Sequence, residues 1–134
     1  TNVTLAADTI SVINYTGAAA ATMTLPAATA GTIVIYCQSK DTTGGTATLV
    51  FDAAGSDVWA TGSVIESRGS SEVTFDTSAA GETKLTFTPA NAATNLLTTG
   101  GQIAFICYED ATWHIATKLA AETTQVTGAF VFAA

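Results

Sequence analysis

Apolar and polar residues alternate one for one in short runs along most of the chain, and turn residues end each run. A period of two is the period of a pleated strand and does not match the turn of a helix. Val3-Thr4-Leu5, Thr22-Met23-Thr24-Leu25 and Lys84-Leu85-Thr86-Phe87-Thr88 show it plainly, the last two stopped by Pro26 and Pro89. The one stretch suited to a helical turn is Asn91 to Leu97. Short runs at turn spacings of roughly 8–12 residues are the pattern of sandwiches and barrels. The expected fold is all-β: an antiparallel β-sandwich or barrel-like single domain of about eight or more short strands over residues 1–134. A chain of 134 residues buries roughly two-thirds of its unfolded surface, so its core needs no metal or disulfide staple.

Two runs break the alternation. Thr32-Ile33-Val34-Ile35-Tyr36-Cys37 and Ile103-Ala104-Phe105-Ile106-Cys107-Tyr108 are apolar at both parities, which predicts central strands. They share a spacing, a Gly start (Gly31, Gly101) and a Cys end (Cys37, Cys107). The two thiols read as small buried hydrophobes, or as a disulfide if the strands are neighbours.

Only 11% of residues are charged, against about 25% in an ordinary soluble domain. Thr, Ser, Ala and Gly must therefore cover much of the outside, and part of that outside is expected to meet something other than water. The net charge is −7, and Lys40, Arg68, Lys84 and Lys118 are scattered, so no basic stripe exists to follow a phosphate backbone. No apolar run reaches the roughly 18 residues of a membrane helix, and the opening Thr1 to Leu5 lacks the basic and apolar regions of a signal peptide.

Little in the sequence fits catalysis. His114 is the single histidine, its parity opposes that of Trp113 and Ile115, and no Gly-x-Ser-x-Gly elbow is present. Asp52, Asp57, Glu66, Glu72, Asp76, Glu82, Glu109 and Asp110 fall mostly at turns and strand ends. Phe51 to Asp57 lacks the alternating ligands of a calcium loop, and two cysteines with one histidine do not complete a zinc site. No catalytic, cofactor-binding or metal-binding residue is expected, and the chain reads as non-enzymatic. Trp59, Trp113, Tyr15, Tyr36 and Tyr108 read as core or interface anchors before they read as a sugar-stacking platform.

The C-terminus is the most suggestive segment. Phe130, Phe132 and Ala134 share one parity, Val131 takes the other, and no charge follows Glu122. A tail that apolar must complete its own sheet or add to a neighbour's surface. Val3, Leu5, Phe130, Val131 and Phe132 are the expected interface residues, with 1–8 and 119–134 as extended contact arms.

Thr22-Met23-Thr24-Leu25-Pro26 with Gly31 and Ile33-Val34-Ile35 resembles the opening of β-rich virion proteins of tailed bacteriophages. Gly101-Gln102-Ile103-Ala104-Phe105 followed by Trp113-His114-Ile115 resembles the closing strand pair of the same modules. The Thr/Ala/Gly-rich, Lys-poor composition is similar to that of capsid decoration (cement) proteins and of head or tail fibre domains. The resemblance implies a structural virion protein on the capsid surface, assembled in the host cytoplasm, that strengthens the shell through subunit contacts. It implies a homo-oligomer, a trimer before a dimer, with the major capsid protein or other virion subunits as partners, and neither cofactor, membrane nor nucleic acid. The alternative is a fibre or spike module recognising a host surface or glycan. These families share architecture more than a motif, so no residue role carries over.

Overall fold

The computed structural model describes residues 2–42, 45–68, 73–89, 97–116, 119–120 and 130–134. Strands are numbered in chain order. Sheet A holds β1 (Asn2–Thr4), β3 (Ala21–Thr24), β5 (Leu49–Asp52), β9 (Lys84–Phe87) and β13 (Phe130–Ala133), side by side in that order. Sheet B runs β2 (Thr9–Ile13), β4 (Ile33–Gln38), β10 (Gln102–Glu109), β11 (Thr112–Ile115) and β6 (Val58–Trp59). A third ribbon sets β7 (Val64–Arg68) between β12 (Leu119–Ala120) and β8 (Val73–Thr77). The fold is the expected all-β sandwich; each sheet ends in edge strands, so it is not a closed barrel. The strand directions are mixed where wholly antiparallel sheets were expected.

Three of the parallel pairs arise in the first half. The chain steps from sheet A to sheet B and back with every strand from β1 to β5. Each return lays a strand beside the one laid two earlier and in the same direction, so β1–β3, β3–β5 and β2–β4 are parallel pairs. No Asn-Gly or Asp-Gly pair lies between these strands to fold one back on its predecessor. The connections are arches: Asp8 sits at φ +54° before β2, and Gly31 at +91° before β4. At Gly45 the arch passes so close to Gly17 that a Cβ would overlap its carbonyl. Among the later strands, β9 runs antiparallel to β5 and β13, β10 to β4 and β11, and β7 to β8, while β6–β11 and β7–β12 are again parallel.

The inward residues of both sheets meet in one core. An aromatic chain crosses it from sheet to sheet: Tyr36 to Phe51 at 5.0 Å between ring centroids, Phe51 to Phe105 at 5.2 Å, Phe105 to Trp59 at 5.5 Å, and Trp59 to Phe132 at 5.7 Å. These offset and edge-on arrangements add to what area burial gives. The terminal strands belong to this core. Leu5, Phe130 and Phe132 are buried in it, Val3 packs against it, and Val131 alone of the five expected interface residues stands exposed. β1 and β13 are strands of sheet A and not extended arms, which for the tail is the own-sheet alternative, because β3 and β9 supply their backbone partners. Residues 121–129 of the second expected arm lie outside the described residues, as do 91–96 of the expected helical turn.

One polar knot closes the end of the sandwich near β4. Gln38 is fully buried; its amide donates to the carbonyls of Tyr15 (2.7 Å) and Lys40, and its Oε1 accepts from the Tyr36 hydroxyl. The Tyr15 hydroxyl donates in turn to the Ala47 carbonyl. Replacing Gln38 by Leu leaves two carbonyls and a phenol without partners. It should cost about 2–4 kcal/mol, read as a lower denaturation midpoint at unchanged slope. Burial also pushes the Tyr15 phenol up to about 12 and the Tyr36 phenol up as well. Both groups hold their protons more tightly folded than unfolded. Their contribution should be full below the ordinary phenol value of 10.0 and be lost as pH climbs from there through about 12, measured as midpoint against pH.

Candidate functional site

The two outer faces of the sandwich differ in chemistry. On sheet A, one cross-strand row reads Asn2, Thr22, Val50, Thr86, Val131, and the next reads Thr4, Thr24, Asp52, Lys84, Ala133. Threonine and an Asp–Lys pair dominate, as suits a face kept in water. On sheet B the rows read Ile10–Ile35–Ala104, Val12–Cys37–Gln102 and Ile33–Ile106–His114. No charged residue stands in them. Ile10 is 55% exposed, Val12 64%, and Tyr108, beyond Ile106 on the same face, 66%.

This face explains the two runs that were apolar at both parities. β4 and β10 are adjacent central strands, as expected, and one parity of each (Val34, Tyr36; Ile103, Phe105) lies in the core. The other parity was expected to be buried too. A sandwich with no helix among the described residues has no helical layer to lay over it, so most of it points outward: Ile33 is exposed, Ile35, Cys37 and Ile106 are half-buried, and Ala104 alone is buried. That was the available signal for the exposed aliphatic face missed in the sequence: in an all-β chain, a strand greasy on both faces must show one of them.

His114 sits on the outer face as its parity predicted. It is half-buried, and its ring meets that of Tyr108 edge-on at 4.8 Å between centroids. Beside it, Val58, Thr61, Gly81, Glu109 and Thr112 help line an open depression of about 390 Å³. The lining holds no serine, cysteine or second histidine. The depression can take a polar group against His114 and Glu109. Trp59 and Trp113 are buried and so are not available as a stacking platform.

The acidic side chains are largely occupied with backbone. Asp57 and Asp110 accept from Ala28 N (2.6 Å) and Ala30 N (2.9 Å), which brings two carboxylates onto one loop. Glu82 accepts from Ala79 N at 2.7 Å, and Asp76 from Phe132 N at 2.6 Å. Asp41 accepts from both the amide and the hydroxyl of Thr99, and those bonds hold its carboxyl below the usual range. Asp52 lies opposite Lys84 in the ladder, away from any calcium loop. Glu72 lies outside the described residues, and among the described ones no group of three metal-ligating side chains occurs.

The cysteines do not meet. Their strands are neighbours, but antiparallel pairing sets Cys37 opposite Gln102, five residues from Cys107 along β10. That is roughly 17 Å of strand, well beyond disulfide reach. Cys37 also faces outward while Cys107 faces the core. No family model, curated protein or solved structure matches the chain.

Burial pushes the Cys107 thiol up, so its reactive thiolate is scarcer than that of an open cysteine. Alkylation of the folded chain near neutral pH should therefore label half-buried Cys37 first and Cys107 at least about tenfold more slowly, until denaturant is added. Peptide mass spectrometry under air oxidation should find no Cys37–Cys107 bridge.

Proposed function

We propose that this chain is a non-enzymatic structural subunit, a capsid decoration protein of a virion, that works through the outer face of sheet B. The observation that carries the reading is the contrast between the faces. The same alternation builds both sheets, yet one outer face is threonine and paired charge while the other is aliphatic across three strands. Leaving isoleucine and valine in water forgoes roughly 1.5–3 kcal/mol per fully buried side chain, so a contiguous patch of them marks a surface that is covered in use. A shell of capsid subunits is the partner implied by the phage-like sequence features. The backbone-occupied carboxylates and the lack of a nucleophile beside His114 favour a structural role over a catalytic one.

The alternative is a fibre or spike module that recognises a host surface or glycan. The exposed Tyr108 above the depression beside His114 favours it, since one aromatic face and a few polar groups are the start of a sugar site. Among the described side chains no second Trp, Tyr or Phe ring is exposed, since both tryptophans are interior.

Co-sedimentation with phage capsids tests the first reading. The wild-type chain should pellet with expanded shells. Ile106→Glu, in the middle of the face, should weaken that binding by at least about tenfold, the effect of 1.4 kcal/mol, with an unchanged circular dichroism spectrum. A chain that ignores capsids but is retained on a glycan array, and loses that with Tyr108→Ala, belongs to the alternative.

A further inference from the structure

The edges of the two sheets are treated unequally. β1 is three residues long and β6 two, too short to recruit another strand firmly. β13 is guarded by the Asp76 carboxylate on its Phe132 amide. β2 has no such protection. It is five residues, Thr9-Ile10-Ser11-Val12-Ile13, with neither charge nor proline, and among the described residues no strand pairs with its outer side. The nearest charge, Asp8, is turned back: its amide donates to Ile33 O and its carboxylate accepts from Ile33 N.

The ladder fixes which groups this edge offers. Ser39 N donates to Ile13 O, so Ile13, Ser11 and Thr9 direct their amides and carbonyls toward β4. In a parallel pair the alternate residues face the other way, which leaves Ile10 and Val12 presenting theirs outward. Their side chains are also the two most exposed aliphatic ones on the molecule's described surface. An open cleft of about 250 Å³, lined by Val3, Val12, Ile13, Tyr15 and Met23 among others, lies at the same edge, where the sandwich gapes between β1 and β2.

We propose that the occupant of this edge is β2 of a second copy of the chain, joined antiparallel across a two-fold axis at Ser11. That register alone sets both outward-facing residues against outward-facing residues: Ile10 opposite Val12 of the partner subunit, and Val12 opposite Ile10 of the partner subunit. Each pair exchanges two backbone hydrogen bonds. The two five-stranded B sheets become one, and the aliphatic outer faces join into one continuous face. Of the surfaces a copy could use, this one meets the least charge repulsion. Two chains of net charge −7 repel, and β2 lets them touch without bringing carboxylates together. About 17 Å of paired strand buries less than the ~800 Å² per partner of a tight complex, so the dimer forms in a concentration-dependent way. The inference goes beyond the decoration reading, which needs the face but not the dimer.

Sedimentation equilibrium over a dilution series reaching millimolar chain should show a species of twice the 13.5 kDa chain mass. Ile10→Glu with Val12→Glu opposes carboxylates at both pairs and should raise the dissociation constant at least tenfold, with an unchanged circular dichroism spectrum. Ser11→Cys in a Cys37→Ser background should give a disulfide-linked dimer on a non-reducing gel, because residue 11 faces its own copy on the axis. A wild-type monomer throughout, a trimer, a dimer that survives the double substitution, or a failed Ser11→Cys cross-link overturns the proposal. Ile106→Glu lies off the edge and should leave the dimer intact while weakening capsid binding, so the two readings fail separately.

Discussion

The structure depends on the meeting of two sheets along an aromatic seam. Tyr36, Phe105 and Trp59 come from sheet B, Phe51 and Phe132 from sheet A, and each ring packs on one from the opposite sheet or a neighbouring strand. Aromatic side chains bury 150–250 Å² apiece, so these five supply a large share of the driving force in a small domain. The indole nitrogens of Trp59 and Trp113 have no hydrogen-bond partner among the described residues. Each costs about 1–3 kcal/mol by that count. The core tolerates the penalty because the rest of each ring is enclosed by apolar surface.

The stepping of the chain from sheet to sheet follows from the same seam. A hairpin keeps two successive strands in one layer, while an arch sends the second strand to the opposite layer and buries a side chain from each. Five strands laid this way make a short parallel coil, and a coil of that kind begins with two bare edges, β1 and β2. Among the described residues, no later strand returns to cover them. The cleft between those edges is thus a consequence of topology, and so is the aliphatic edge strand beside it.

Alternation made the strands legible in the sequence. Lys84–Phe87, Ala21–Thr24 and Gln102–Glu109 lie within a residue or two of where the pattern and the prolines put them. Pairing was not legible, since a Gly-containing connection reads alike whether it closes a hairpin or an arch. The alternative left open for Cys37 and Cys107, a bridge if their strands were neighbours, shows the limit well. Their shared spacing from Gly31 and Gly101 reflects a rough two-fold relation between antiparallel neighbours, with Gly31 N bonded to Cys107 O and Gly101 O to Gln38 N. Such a relation sends the two ends apart. The terminal phenylalanines carry the same lesson. Parity says that Phe130 and Phe132 share a face, and only the tertiary fold says that this chain's own core covers it.

The surface chemistry then separates into two kinds of device. Where an edge would recruit strands without benefit, the chain shortens it, as in β1 and β6, or places a carboxylate on it, as Asp76 does at Phe132. Where water is the neighbour, threonines line the outer face, as on β3 and β9. Neither device appears on β2 or on the outer parity of β4 and β10. A chain poor in charge has few residues with which to protect itself, but sheet A shows that threonines with one Asp–Lys pair suffice. The aliphatic choice on sheet B is therefore not forced by composition. A long uncharged edge and a greasy face meeting at the same strand are costly in an isolated molecule and useful in an assembled one.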